Sequence, residues 1–299
     1  MIRVENLSKS FGKIKALDNV TAEIKEGSIF GLIGSNGAGK STFMRLLCGI
    51  YRSDSGKILI DDEEVYENIK VKERIFYISD DQYYFHNGAM DDLAKYYSLN
   101  YSKFSFEDYQ KLKDIFKLDG KRKLSTFSKG MQKQAHIILA LACRTEYLFC
   151  DETFDGLDPV MRQTVKKLLA QAVVERNLTP IIASHNLREL EDICDHVGLL
   201  HEGGIVFTQE IDNLRLNTHK IQCAFTSPKA REDFKGLDIL TFENRGSLAT
   251  MIVRGDMEKT NKIVAKMQPL YSEIVPLTLE EIFITEMEVR GYDSERIKY

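Results

Sequence analysis

Residues 29–41 read Ile29-Phe30-Gly31-Leu32-Ile33-Gly34-Ser35-Asn36-Gly37-Ala38-Gly39-Lys40-Ser41, and this stretch decides the fold. A nearly continuous apolar run from Ile29 to Ile33 predicts a buried strand, and Thr42 to Cys48 carries a helical pattern, so the glycine-rich segment between them joins a strand to a helix. Residues Gly34 to Ser41 fit the phosphate-loop pattern in the context that pattern requires. Glycines let successive backbone N–H groups turn inward around phosphate oxygens, and the helix that starts near Lys40 adds the positive end of its dipole. Lys40 is expected to reach the β- and γ-phosphates and the Ser41 hydroxyl to ligate Mg²⁺. Gly34, Ser35, Asn36, Gly37, Ala38, Gly39 and Thr42 complete the expected nucleotide-binding set.

A metal held there needs an acid on a neighbouring strand. Tyr147-Leu148-Phe149-Cys150-Asp151-Glu152 supplies it: four apolar residues bury a strand whose carboxyl end presents two carboxylates, the end at which such sheets bind ligands. Asp151 is read as the Mg²⁺ support, and Glu152 as the group that orients or deprotonates an attacking water.

The rest of the chain fits one organisation. Ile2–Val4, Val20–Ile24 and Lys57–Ile60 read as short strands of an antiparallel sheet. Met90 to Leu118 reads as helices joined by a polar loop near Ser102. A helix (130–144), the strand at 147, a helix (159–175), a strand (180–183) and a helix (187–194) then alternate as in a parallel α/β sheet. A hairpin from Val197 to Phe207, turning at Gly203-Gly204, closes the unit. After about Asn213 the pattern changes: strands at 220–225, 239–243 and 248–253 and a helix at 258–267 form a small α+β module.

The chain has 299 residues and a net charge of −4, with 43% hydrophobic and 29% charged residues. This is the make-up of a soluble globular protein, and it carries no basic footprint for nucleic acid. No apolar stretch approaches the roughly 20 residues of a membrane span. The first residues, MIRVENLSKS, lack an apolar signal core, which argues against secretion. Five scattered cysteines without metal-ligand spacing read as buried thiols in a reducing compartment.

With these elements in place the chain resembles the nucleotide-binding domain of ABC transporters over roughly residues 1–212, and in particular the ATPases of bacterial ABC-2-type exporters. Phe127-Ser128-Lys129-Gly130-Met131-Gln132 resembles the family signature, usually Leu-Ser-Gly-Gly-Gln, with Lys129 where glycine is usual. Phe11 resembles the aromatic residue that stacks on adenine. Phe154 to Asp158 resembles the loop that crosses the dimer interface, and His185, in Ala183-Ser184-His185-Asn186, resembles the switch histidine that contacts the γ-phosphate. The glutamine loop departs from the family: in Ile78-Ser79-Asp80-Asp81-Gln82 the acid Asp80 stands in the usual glutamine position, and either Asp80 or Gln82 could reach the Mg²⁺ shell. Tyr83-Tyr84-Phe85 is a candidate groove for a partner's coupling helix.

The resemblance implies an α/β phosphate-loop cassette of mixed core sheet, antiparallel β subdomain and helical subdomain (about 83–144), with a C-terminal α+β module over 213–299. Thr278 to Phe283 is similar to the closing segment of exporter ATPases, and the module reads either as regulatory and dimer-supporting or as a structural cap. The implied activity is ATP hydrolysis with ATP and Mg²⁺, in a homodimer or a heterodimer with a related subunit. The dimer would drive a separate membrane-spanning exporter subunit from the cytoplasmic face of the cell membrane. In such a dimer Ser128, Lys129 and Gly130 would grip the γ-phosphate held by the opposite copy's Lys40. A soluble ABC ATPase acting on ribosome or DNA, and an ATP-sensing subunit, are the competing readings. The first fits poorly, since the interval from Lys40 to Ser128 holds no long coiled-coil insertion, and Glu152 argues against the second.

Overall fold

The computed structural model describes residues 1–80 and 84–289, which divide into two compact units, Met1–Thr208 and a second from Gln209 onward. In chain order the first unit runs β1 (Ile2–Phe11), β2 (Ile14–Ile24), β3 (Phe30–Ile33), α1 (Lys40–Leu47), β4 (Ser55–Ile60), β5 (Glu63–Glu64), α2 (Ile69–Lys72) and β6 (Ile75–Ile78). It continues with α3 (Met90–Asn100), α4 (Phe106–Phe116), α5 (Lys129–Ala142), β7 (Tyr147–Asp151), α6 (Pro159–Arg176), β8 (Thr179–Ala183), α7 (Leu187–Glu191), β9 (His196–His201) and β10 (Gly204–Glu210).

Among the described residues, β10-β9-β3-β8-β7-β6 form one sheet and β2-β1-β4-β5 another. In the first, β9, β3, β8, β7 and β6 run parallel to one another. Every residue of β3, β7 and β8 is buried, as expected of strands covered on both faces. The β1–β2 hairpin alternates instead: Ile2, Val4, Leu7, Val20, Ala22 and Ile24 face a core shared with Phe30, Phe43, Met44 and Phe149. That core ties the antiparallel sheet to β3 and α1, and it steadies the turn between them.

Helices α3, α4 and α5 pack together as the helical subdomain. Ser105 caps α4, its hydroxyl accepting from Asp108 N at 3.1 Å, and the apolar side of α5 from Ala135 to Ala142 is buried. The sequence reading missed β6, an apolar run of only four residues. It also extended α7 to Cys194, whereas the helix stops at Glu191.

The second unit comprises α8 (Ile211–Asn217), β11 (Thr218–Ala224), β12 (Asp238–Arg245), β13 (Leu248–Arg254), α9 (Met257–Lys266), β14 (Tyr271–Val275) and α10 (Leu279–Val289). Its antiparallel sheet, ordered β12-β13-β11-β14, buries Ile221, Cys223, Met251 and Val253 beneath Val264 of α9. Asp256 caps α9, accepting from Lys259 N at 2.9 Å. The sequence reading gave β11, β12, β13 and α9 but not β14, α8 or α10. The expected boundary at 212/213 falls inside α8, which packs on β11.

All five cysteines are buried and unpaired. Burial pushes each thiol up, Cys150 to about 12 and Cys223 to about 11.

Candidate active site

The loop that follows β3 and the residue that follows β7 line one cleft of about 420 Å³. β3 delivers the chain to Gly34, where a Cβ would lie 2.5 Å from the Leu200 carbonyl oxygen, so glycine is required by close approach. Gly39 is constrained twice: its φ is +105°, and a Cβ would meet the Ala16 carbonyl oxygen at 2.5 Å. The loop is held by Ala38 N donating to Ser35 O (3.1 Å) and Gly203 N donating to Ala38 O (3.1 Å). No side chain caps α1 and its first turn carries no acid, so its N–H end and positive dipole are left for an anionic ligand.

Lys40 is 7% exposed. Its ammonium donates to Gly34 O at 2.8 Å and Ser35 O at 3.3 Å, and lies 3.9 Å from Glu152 Oε1. Burial lowers its pKa, opposed by the charges of Glu152 and Asp151. Ser41 Oγ donates to Asp151 Oδ1 at 3.2 Å, and the other oxygen of that carboxylate accepts from the Tyr77 hydroxyl at 2.9 Å. Burial, then the Asp151 charge, pushes the Tyr77 phenol far up, so it stays a donor at neutral pH. Tyr77 lies on β6, which the sequence reading missed, and its pairing across β6 and β7 has no local signal.

Glu152 follows β7 with φ +49°, a left-handed conformation that costs a residue other than glycine free energy unless its surroundings fix it. Its N–H donates to Ala183 O at 3.0 Å, and its carbonyl accepts from Lys133 Nζ at 2.6 Å. The bend aims the carboxylate at His185, whose Nδ1 lies 2.9 Å from Glu152 Oε2 and 3.8 Å from Asp155 Oδ2. The His185 ring is 54% exposed and faces outward.

The cleft thus gathers Lys40, Ser41, Thr42, Asn36, Gly37 and Glu152, with Asp151 and His185 hydrogen-bonded to its members. It also takes Ile14, Ala16, Glu202 and Gly203, which the sequence reading did not assign. The glycine pair at the β9–β10 turn was the available signal for Gly203. Phe11 does not line the cleft; its ring stands edge-on to Tyr51 at 5.5 Å. Asp80 sits 3.4 Å from Lys133 Nζ. Gln82 and Tyr83 lie outside the described residues. Phe85 packs edge-on against Tyr96 at 5.3 Å.

Ser128 caps α5, its hydroxyl accepting from Met131 N at 3.3 Å. Lys129 is an exposed helical residue without positive φ, so the glycine usual at that position is not needed for backbone freedom here. At Gly130 a Cβ would be 2.7 Å from the Gly156 carbonyl oxygen, which fixes the approach of the 154–158 loop to α5. Ser128, Lys129 and Gly130 do not line the cleft of their own chain.

A family model described as ABC transporter matches residues 17–155. The chain is similar to the ABC transporter ATP-binding protein YtrB of Bacillus subtilis (strain 168), with 30% identity over 286 residues, covering 96% of this chain and 98% of that protein. It is similar as well to the bacitracin transport ATP-binding protein BcrA of Bacillus licheniformis, with 32% identity over 227 residues, 74% of this chain and 73% of the relative. Among solved structures it resembles a dimeric post-hydrolysis state of the ATP-binding cassette MJ0796 bound to ADP and Pi. That match has a TM-score of 0.63 at 21% identity and covers 71% of this chain and 99% of the other.

Proposed function

The chain belongs to the family of ABC transporter ATP-binding proteins, and we propose that it is the ATP-hydrolysing subunit of an exporter, closing as a dimer around ATP to drive a separate membrane-spanning subunit. The observation that carries this reading is the division of the site. Lys40, Ser41 and Glu152 line one cleft, with Asp151 and His185 hydrogen-bonded to Ser41 and Glu152, while the Ser128 end of α5 stands outside it.

In this reading the loop N–H groups from Gly34 to Ser41, with Thr42, cradle the phosphates, and Lys40 exchanges the Gly34 and Ser35 carbonyls for β- and γ-phosphate oxygens. Ile14, with Phe11 nearby on the β1–β2 hairpin, supplies apolar surface for the base. The hydroxyl of Ser41 and the carboxylate of Asp151 are hard oxygen donors 3.2 Å apart, a donor set that fits Mg²⁺. When bound, that ion neutralises charge on the β- and γ-phosphate oxygens. Glu152 takes a proton from the attacking water as a bond forms to the γ-phosphorus and the bond to the β-phosphate oxygen breaks, and His185 steadies the γ-phosphate. Ser128, Lys129 and Gly130 of a second copy, or of a related subunit, complete the cage.

No helix among the described residues is long and apolar enough to cross a membrane. In this reading the chain sits at the cytoplasmic face, the membrane-spanning partner provides the path, and a peptide-like or hydrophobic compound is the cargo class in keeping with the bacitracin transport relative. The test is reconstitution of the chain with the membrane protein it co-purifies with. Nucleotide-dependent transport and ATPase activity in lipid support the reading, and the absence of both activity and any co-purifying membrane protein would end it.

A further inference from the structure

Lys133 lies on α5, five positions beyond Ser128, with its side chain 11% exposed. An ammonium so enclosed needs oxygen partners. Among the described residues it has two: the Glu152 carbonyl at 2.6 Å and Asp80 Oδ1 at 3.4 Å. Of these two, Asp80 carries the opposite charge. The contact on Glu152 also has a defined purpose. A residue held at φ +49° points its carboxylate correctly only while both flanking peptide groups are fixed. Ala183 fixes the N–H and Lys133 the carbonyl.

We propose that Lys133 is a positioning residue for the Glu152 carboxylate and that Asp80 is its counter-ion and not a metal ligand, so that α5 transmits engagement of its Ser128 end to Glu152. This rests on the assignment of Glu152 as the group that activates water. α5 is one rigid helix with a buried face, so a partner's phosphate drawing on Ser128 displaces Lys133 with it. The Glu152 peptide follows, because its carbonyl is held by the lysine.

The experiment compares Lys133→Met, Lys133→Arg, Asp80→Asn and the double variant Asp80→Asn/Lys133→Met with the wild type. Three quantities are read: steady-state ATPase activity, ATP affinity by calorimetry, and Mn²⁺ affinity of the ATP complex by electron paramagnetic resonance. Lys133→Met should lower kcat about tenfold or more while ATP affinity stays within about twofold, and Lys133→Arg should recover most of the loss. Asp80→Asn should lower kcat less, leave Mn²⁺ affinity unchanged, and add nothing in the double variant. Wild-type kcat in Lys133→Met overturns the positioning role, and a roughly tenfold weaker Mn²⁺ affinity in Asp80→Asn overturns the counter-ion role. Should Lys133→Met fail to fold, Lys133→Arg and the exposed Asp80→Asn decide the question by the same split between kcat and affinity. An inactive wild type in the reconstituted complex would instead remove the proposed function itself.

Discussion

Ser41 and Asp151 stand 110 positions apart in the chain, and their side chains meet with Oγ donating to Oδ1 at 3.2 Å. The pair joins the first turn of α1 to the end of β7, and it sets two hard oxygens side by side where Ser41 lines the cleft.

Asp151→Asn should therefore separate nucleotide binding from its metal dependence. Calorimetry with ATP in chelator should give nearly wild-type affinity, while the gain on adding Mg²⁺ should shrink by about tenfold. An undiminished gain would take Asp151 out of the metal site.

Glu152→Gln keeps the shape of the side chain and removes its basicity. ATPase activity should fall by about 10²–10⁴-fold with ATP affinity retained, and light scattering should show dimer accumulating in ATP. Turnover at the wild-type rate would exclude Glu152 as the base.

Lys40→Met should abolish the thermal stabilisation that ATP confers. At a hundredfold excess over Kd a binding-competent chain gains about 2.7 kcal/mol, and the variant should gain close to none at the same concentration in differential scanning fluorimetry.

Gly130→Ala forces a Cβ against the Gly156 carbonyl oxygen, at 2.7 Å unless the backbone yields. We expect a loss of about 1–3 kcal/mol in denaturant unfolding, together with reduced ATPase activity. The neighbouring exposed Lys129→Ala should stay within about 0.5 kcal/mol.

The acid limb of stability should depend on Glu146. Burial alone would raise its pKa, but hydrogen bonds from Lys103 and Arg74 outweigh it and hold the carboxyl below its ordinary 4.5. A depressed folded-state pKa means that the unfolded chain takes up the proton first as pH falls. The contribution is thus complete above about pH 4.5 and disappears as pH drops through the lower folded value. Unfolding in denaturant between pH 7 and pH 3 should show a shallower decline for Glu146→Gln than for the wild type, and parallel declines would assign the acid sensitivity elsewhere.

What the sequence revealed follows from the range of the interactions. The turn at Gly34–Ser41 is built by consecutive residues, and β7 announces itself by four apolar residues before two acids, so both are readable locally. The reason for two of the glycines is not: Gly34 answers to Leu200 and Gly39 to Ala16, neighbours that only the folded sheet supplies. Tyr77 and Lys133 escaped notice for the same cause. Each touches an acid or a carbonyl brought in from another element, and neither belongs to a motif. In the second unit, β14 is a short, largely exposed edge strand beside β11, where the contrast between apolar and polar positions that marks a strand is weak.

The five enclosed thiols have a practical corollary. A maleimide attacks through thiolate, and each native sulfur is both shielded and kept protonated. A cysteine engineered at an exposed site such as Val174, 87% accessible, would then be the one handle that reacts. Fluorophores could be attached and the opening and closing of the assembly timed directly, on a chain that retains every sulfur it began with.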